Sequence, residues 1–295
     1  MIADFDNLDV DAILKGSIMS TDAGSGKGML TMLKMFDSLE EFKAAFKKKD
    51  LTNDCLVIRG YCLDWPLHRD DRFAYLSQEY GNDEILIEQD IMDNVNKHTT
   101  TMTISDYIER LLNGTRVMGN WSWQPHLTHP EKLSQSFFIP PEIAIGDLAI
   151  CPWLLMSGPE TTTSIHQDML NVNGVAGQLI GSKLFTLVAP EYALSEGKYY
   201  SNESLEELEI PFTQIVLNAG DFLYFPKLWW HQAKTLYLSA TLIHSTVNHY
   251  NLNAFLNETV KQMPHFIQRL QLSAKKRGYF GNKINWLSNG FRILE

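Results

Sequence analysis

Gly220-Asp221-Phe222-Leu223-Tyr224-Phe225-Pro226-Lys227-Leu228-Trp229-Trp230-His231-Gln232 is the stretch that decides the fold. Gly220-Asp221 predicts a tight turn into an apolar strand, and Pro226 breaks that strand. Trp229 and Trp230 then bring His231 back on a second strand. Other short strand-like runs surround this block: Ala149–Gly158, Thr161–His166, Val175–Ile180, Lys183–Val188, Thr213–Leu217 and Thr241–Val247. Gly158-Pro159, Gly181, Pro190, Gly220 and Pro226 separate most of them. Many short strands with such punctuation predict an antiparallel sandwich or barrel.

A second signal stands upstream, at Ser164-Ile165-His166-Gln167-Asp168. Residues two apart on a strand face the same side, so His166 and Asp168 point together while Gln167 points away. His231 supplies an imidazole from a distant strand. Two histidines and one carboxylate on one face of an octahedral metal leave three positions open. This is the donor set of non-haem Fe(II) oxygenases, whose open positions take co-substrate and O2. A third signal is Lys183, which begins the apolar strand Gly181–Val188. A lysine among apolar neighbours is costly unless an anion accompanies it. A dicarboxylate that chelates iron at one end needs a cation at the other. Thr163, three residues before His166, carries a hydroxyl suited to the same carboxylate.

Together these residues resemble the cupin-like JmjC branch of the 2-oxoglutarate/Fe(II) oxygenases, nearest the group of the asparaginyl hydroxylase called factor inhibiting hypoxia-inducible factor. The resemblance covers roughly residues 32–250. It rests on Trp65-Pro66, Ser105-Asp106-Tyr107, Thr163–Asp168, Gly181-Ser182-Lys183, the Gly220–His231 block and Thr246-Val247-Asn248. It implies a double-stranded β-helix, a mainly β jelly roll with flanking helices. His166, Asp168 and His231 match the family's iron ligands. Lys183 and Thr163 match the residues that hold the far carboxylate of 2-oxoglutarate, and Asn248 matches an asparagine of the co-substrate pocket. Asn171 or Asn173 matches a second one. The family often adds a tyrosine to that carboxylate, but here the region reads Asn120-Trp121-Ser122-Trp123-Gln124.

The implied activity is hydroxylation of an unactivated C–H bond of an amino-acid side chain, in a protein, a peptide or a free amino acid. Fe(II), 2-oxoglutarate and O2 are the implied cofactor and co-substrates. Demethylation of N-methyl-lysine by the same chemistry stays open. So do a metal-binding cupin without catalysis and a cupin isomerase or dioxygenase that needs no 2-oxoglutarate.

The remaining sequence frames this core. From Met32, the residues Phe36, Leu39, Phe42, Phe46 and Leu51 recur at helical steps, and Cys55–Gly60 reads as a short buried strand. Thr103–Leu112 reads as an amphipathic helix with Ser105 as its N-cap. The stripe from Leu252 to Leu272 predicts a C-terminal helical element, suited to a homodimer or to docking on the protein's own barrel. The expected division is a flexible segment over 1–30, a catalytic domain over 31–250 and the helical element over 251–295. In the first segment, Gly26-Lys27-Gly28 invites a phosphate-loop reading. It fails, because Gly28 stands where a Ser or Thr must ligate Mg2+.

The segment Ala189–Pro211 carries Glu191, Glu196, Glu203, Glu206, Glu207 and Glu209. It reads either as a solvated insertion or as a lid over the barrel mouth. His126 and His129, bracketed by Pro125 and Pro130, read as a surface loop. The net charge of −10 over 295 residues argues against binding a phosphate backbone. Cys55, Cys62 and Cys151 are too few for a disulfide framework. Met1–Asp6 lacks the basic start of a secretion signal, and no apolar stretch has the length of a membrane span. A cytoplasmic protein is the expectation.

Overall fold

A computed structural model describes residues 19–20, 33–69, 71, 73–89, 98–114, 123, 125–145 and 150–263. Most of the 1–30 segment, residues 264–295 and all of Asn120–Gln124 except Trp123 lie outside the described residues. In chain order the strands are β1 (Met19–Ser20), β2 (Lys34–Phe36), β3 (Leu56–Ile58), β4 (Glu84–Gln89), β5 (His98–Thr103), β6 (Ile150–Ser157), β7 (Thr162–His166), β8 (Asn173–Ile180), β9 (Ser182–Val188), β10 (Thr213–Asn218), β11 (Phe222–Phe225), β12 (Trp230–Thr235) and β13 (Ser239–Thr246). The helices named by range are α1 (Leu39–Lys48), α2 (Phe73–Tyr80), α3 (Ile104–Leu112), α4 (Pro125–Thr128), α5 (Pro130–Ser134) and α6 (Asn202–Glu207). Residues 252–263 are also helical.

Two sheets make the jelly roll. One has the order β1-β10-β9-β12-β7, the other β2-β3-β11-β8-β13-β6. Every pairing within them is antiparallel except β2 with β3. Alternation along each strand sorts side chains between two buried faces. On β11, Leu223 and Phe225 point into the space between the sheets, where they meet Phe185, Leu187, Ile215 and Ala233 of the opposite sheet. Phe222 and Tyr224 point the other way, into a layer built with Phe42, Trp65, Tyr80 and Tyr107. Both faces are covered, which is why the strands read as continuous apolar runs rather than as alternating ones. Gly220 makes the turn between β10 and β11 at φ +98°, a conformation that favours glycine. Asp221 fixes this turn by pairing with Arg59 and by accepting from the Asn218 N–H.

Several expectations about local structure change. The apolar recurrence from Met32 is not one helix: Lys34–Phe36 is a strand, and α1 starts after Ser38, whose hydroxyl accepts from the Glu41 N–H. Thr103, not Ser105, caps α3, accepting from the Asp106 N–H at 3.1 Å. Ser105 instead meets the Ser77 hydroxyl at 2.8 Å. His126 and His129 lie in and beside α4 and α5 rather than in a loop, because Pro125 and Pro130 start helices. His126 Nδ1 donates to the Pro152 carbonyl, and His129 Nε2 donates to Asp83 at 2.9 Å. No helix among the described residues is long and apolar enough to cross a membrane.

Candidate metal centre and co-substrate pocket

β7 and β12 are antiparallel neighbours, and their register sets His166 directly opposite His231. The two imidazole centroids are 4.1 Å apart. Each ring uses Nδ1 in the same way: His166 on the carbonyl of Ser164 at 2.8 Å, His231 on the carbonyl of Trp229 at 3.1 Å. A carbonyl only accepts, so Nδ1 is the donor on both rings, which leaves Nε2 as the atom that faces the ligand set. Asp168 lies just past the end of β7, at the entrance of a short 3-10 turn over Met169–Asn171. One oxygen of its carboxylate is 3.8 Å from His231 Nε2. The donor atoms of His166, Asp168 and His231 all lie within 4.8 Å of one another. Burial lowers the His231 pKa to about 4 against the opposing pull of Asp168, so the ring is neutral at pH 7. Two imidazoles and a carboxylate whose donor atoms converge fit a divalent metal such as Fe(II).

Packing holds this geometry. The Phe225 ring lies 4.4 Å from the His231 ring. Gly174 makes room for it: a Cβ there would sit 2.1 Å from Phe225 and 2.9 Å from Asp168 Oδ2. Trp229 is buried between the sheets, and its carbonyl orients His231. Gln167, as expected, turns away and donates its amide to the Leu228 carbonyl.

Lys183 and Thr163 line one small pocket, together with Met156, Ser157, Ala233 and Thr235. Lys183 is only 4% exposed. Among the described residues it has no ion-pair partner, and burial alone lowers its pKa to about 8. Lys183 opposes Thr235 on β12, four residues along the strand from His231. At about 3.3 Å per residue this is roughly 13 Å, a length that metal bonds, a short dicarboxylate and the lysine side chain fill together.

The three asparagines make hydrogen bonds within the protein. Asn248 donates to the Tyr224 hydroxyl at 3.1 Å and accepts from the Tyr250 N–H at 3.0 Å, so both ends of its amide hold the turn before the helix at 252–263. Asn173 accepts from the Lys227 N–H, and its Nδ2 is buried without a partner among the described residues. Neighbours on a strand face opposite sides, and Gly174 faces Asp168, so Asn173 faces away from the metal ligands. Asn171 is left-handed at φ +54°, and its carbonyl accepts from Asn251 Nδ2. Trp123 donates its indole N–H to Asp83, where Thr128 and His129 also donate. His244 is buried on the face that carries Phe137, with ring centroids 5.3 Å apart, and lies outside the triad. The acidic segment is not a lid over the mouth. Its Leu205 and Ile210, with Phe212 just after it, pack on Ile165, Val188 and Trp230, the face of the sheet opposite the ligands. Cys55 and Cys62 are free and buried; the side chain of Cys151 lies outside the described residues. Phe225 and Gly174 escaped the sequence reading, although alternation along β11 and the Gly-rich run at 174–177 carry a signal for both.

Residues 133–254 match the family model of the JmjC domain, a span that includes all three metal-ligand candidates. The chain is 39% identical over 99 residues to a bifunctional lysine-specific demethylase and histidyl-hydroxylase NO66 of Drosophila persimilis, covering 34% of this chain and 14% of that protein. It is 33% identical over 105 residues to ribosomal oxygenase 1 of Gallus gallus, covering 35% of this chain and 17% of the relative. With ribosomal oxygenase 2 of Mus musculus the identity is 37% over 78 residues, 26% of this chain and 16% of the relative. The matched stretch thus spans less than a fifth of the length of these curated relatives.

Proposed function

We propose that this chain, whose residues 133–254 carry a JmjC domain, is an Fe(II)- and 2-oxoglutarate-dependent oxygenase that hydroxylates an amino-acid side chain. One observation carries the reading: the buried ammonium of Lys183, without a partner among the described residues, shares a sheet face with the His166–Asp168–His231 set. A metal site without a co-substrate has no use for a cation kept out of water at that distance. His166 and His231 hold the metal through Nε2 and Asp168 through its carboxylate, on one side only. Bound Fe(II) supplies the activation of O2 that couples decarboxylation of 2-oxoglutarate, to succinate and CO2, with insertion of one oxygen atom into a C–H bond. Lys183 and Thr163 take the far carboxylate, and its arrival offsets the cost of holding the lysine's charge out of water. Phe225, Leu187 and Ala233 keep water from the reacting end.

The names of the relatives, a histidyl-hydroxylase and ribosomal oxygenases, support a residue within a protein as substrate. A narrower proposal, kinship with the asparaginyl-hydroxylase group, rests on the motifs from Trp65-Pro66 to Asn248. A second reading, removal of methyl groups from lysine, is supported by the demethylase in the name of the Drosophila relative. Pairing of two copies is a further proposal, supported by Leu256 and Val260, which the helix at 252–263 leaves exposed.

The test is succinate formation from 2-oxoglutarate by purified protein with Fe(II) and O2. Peptides bearing histidine, asparagine or methyl-lysine are supplied in turn, beside a His231→Ala control. A peptide that gains one oxygen atom identifies a hydroxylase; formaldehyde release identifies the demethylase. Failure of the wild-type protein to bind 2-oxoglutarate would return the reading to a metal-binding cupin.

A further inference from the structure

We infer that the acidic segment 190–211 is a positioning strap that fixes the two histidine ligands from behind; the inference rests on the metal reading above. β7 is the outermost strand of its sheet, so one edge of the strand that carries His166 is unpaired within the sheet. The segment covers that edge. The Ile165 N–H donates to the Lys198 carbonyl at 2.7 Å, and the Gly197 N–H donates to the Ile165 carbonyl at 3.2 Å. The next contacts fall on β12. The Tyr200 N–H donates to Gln232 Oε1 at 3.0 Å, and Gln232 Nε2 donates back to the Tyr200 carbonyl at 2.6 Å. Trp230 Nε1 donates to the Tyr192 carbonyl at 2.8 Å.

Every one of these bonds ends on a residue adjacent to a ligand, and none ends on a ligand. Trp230 and Gln232 flank His231, and Ile165 precedes His166. Adjacent strand residues face opposite sides, so the strap grips the far face while the imidazoles project from the near one. Fixing the neighbours fixes the direction of each ligand's Cα–Cβ bond. Nδ1 of each ring is already held by its own strand, which leaves the backbone as the remaining freedom. Gln232 is 1% exposed and engages both the N–H and the carbonyl of Tyr200, so its loss strands two part-buried backbone groups.

The test is Co(II) titration of the full chain, followed by its visible absorption bands, in wild-type protein, Gln232→Leu and Trp230→Phe. Trp230→Phe keeps an aromatic ring in this cluster while removing the indole N–H and part of the ring volume, so it carries the test where Gln232→Leu does not fold. Loss of groups that orient metal ligands weakens metal binding by about 10- to 100-fold. The expected result is weaker Co(II) binding of that order in Gln232→Leu, a smaller loss in Trp230→Phe, and altered bands in both. Gln232→Glu, which still accepts from the Tyr200 N–H, regains part of the affinity. Variants that bind Co(II) with wild-type affinity and spectrum overturn the strap while leaving the metal reading intact. Wild-type protein that binds no Co(II) overturns both.

Discussion

Thr163 and His166 are three residues apart on one strand, yet both face the space between the sheets. His231 pairs with His166 and Ala233 pairs with Thr163, so two residues of β7, Ser164 and Ile165, oppose the single Gln232 of β12. This β-bulge resets the alternation. Without it, a separation of three would send the two side chains to opposite faces, and the hydroxyl would lie behind the sheet. The extra residue also serves the metal, because the Ser164 carbonyl accepts from His166 Nδ1.

Thr163→Val is therefore expected to leave metal binding intact and to weaken 2-oxoglutarate binding. A hydrogen bond to a charged group contributes about 1.5–3 kcal/mol, so the loss is roughly tenfold to hundredfold. Calorimetric titration of 2-oxoglutarate into Mn(II)-loaded protein measures it; equal affinities would remove Thr163 from the pocket.

Lys183→Met has two expected effects of opposite sign. It removes the carboxylate partner, at a cost of about 2–5 kcal/mol in 2-oxoglutarate affinity. It also stabilises the co-substrate-free protein at pH 7. Burial lowers the folded-state pKa from 10.5 to about 8, so between those values the unfolded chain binds more protons and stability rises with pH. The destabilisation is complete below about pH 8 and amounts to about 3 kcal/mol. Urea unfolding at pH 7 and pH 10 is expected to show this rise in wild-type protein and to show it reduced in Lys183→Met. Matching profiles would mean that the buried ammonium carries no such penalty.

Gly174→Ala forces a methyl group against Phe225 and Asp168 Oδ2. Overpacking of this kind costs about 1–3 kcal/mol. Because Phe225 lies on the His231 ring, metal affinity is expected to fall together with the thermal midpoint. A variant with unchanged Co(II) affinity would show that the Phe225 contact does not orient the ligand.

Asn248→Ala separates a structural asparagine from a pocket one. Its amide bridges Tyr224 and Tyr250, so truncation leaves buried groups unpaired at about 1–3 kcal/mol. The expected outcome is a lower unfolding midpoint with 2-oxoglutarate affinity unchanged. A selective loss of 2-oxoglutarate binding would return Asn248 to the co-substrate pocket.

Much of the architecture was legible because it depends on local chemistry. The Gly220-Asp221 turn, the break at Pro226 and the strands on either side follow from residues that restrict their own backbone. The helix boundaries near Phe36 and Ser105 were not legible. An apolar residue at a helical step also suits a short strand when β3 lies alongside it, and Thr103 and Ser105 are equally able caps until Ser77 engages one of them. The acidic segment left two readings open for a related reason: its glutamates are conspicuous, while its attachment runs through Leu205, Ile210 and backbone groups.

The sequence by itself determined the donor set. His166 and Asp168 at a spacing of two, His231 behind its turn and a lysine opening an apolar strand are readable from residue identity and spacing, although Asp168 itself falls just past the end of β7. Only the tertiary structure decided which faces these residues share with others. The bulge that turns Thr163 inward, the face that the acidic segment covers and the diversion of Asn248 into a turn all depend on hydrogen-bond register and packing between distant strands. Those partners meet only when the chain closes, and a shift of one residue in register moves a side chain to the other side of the sheet.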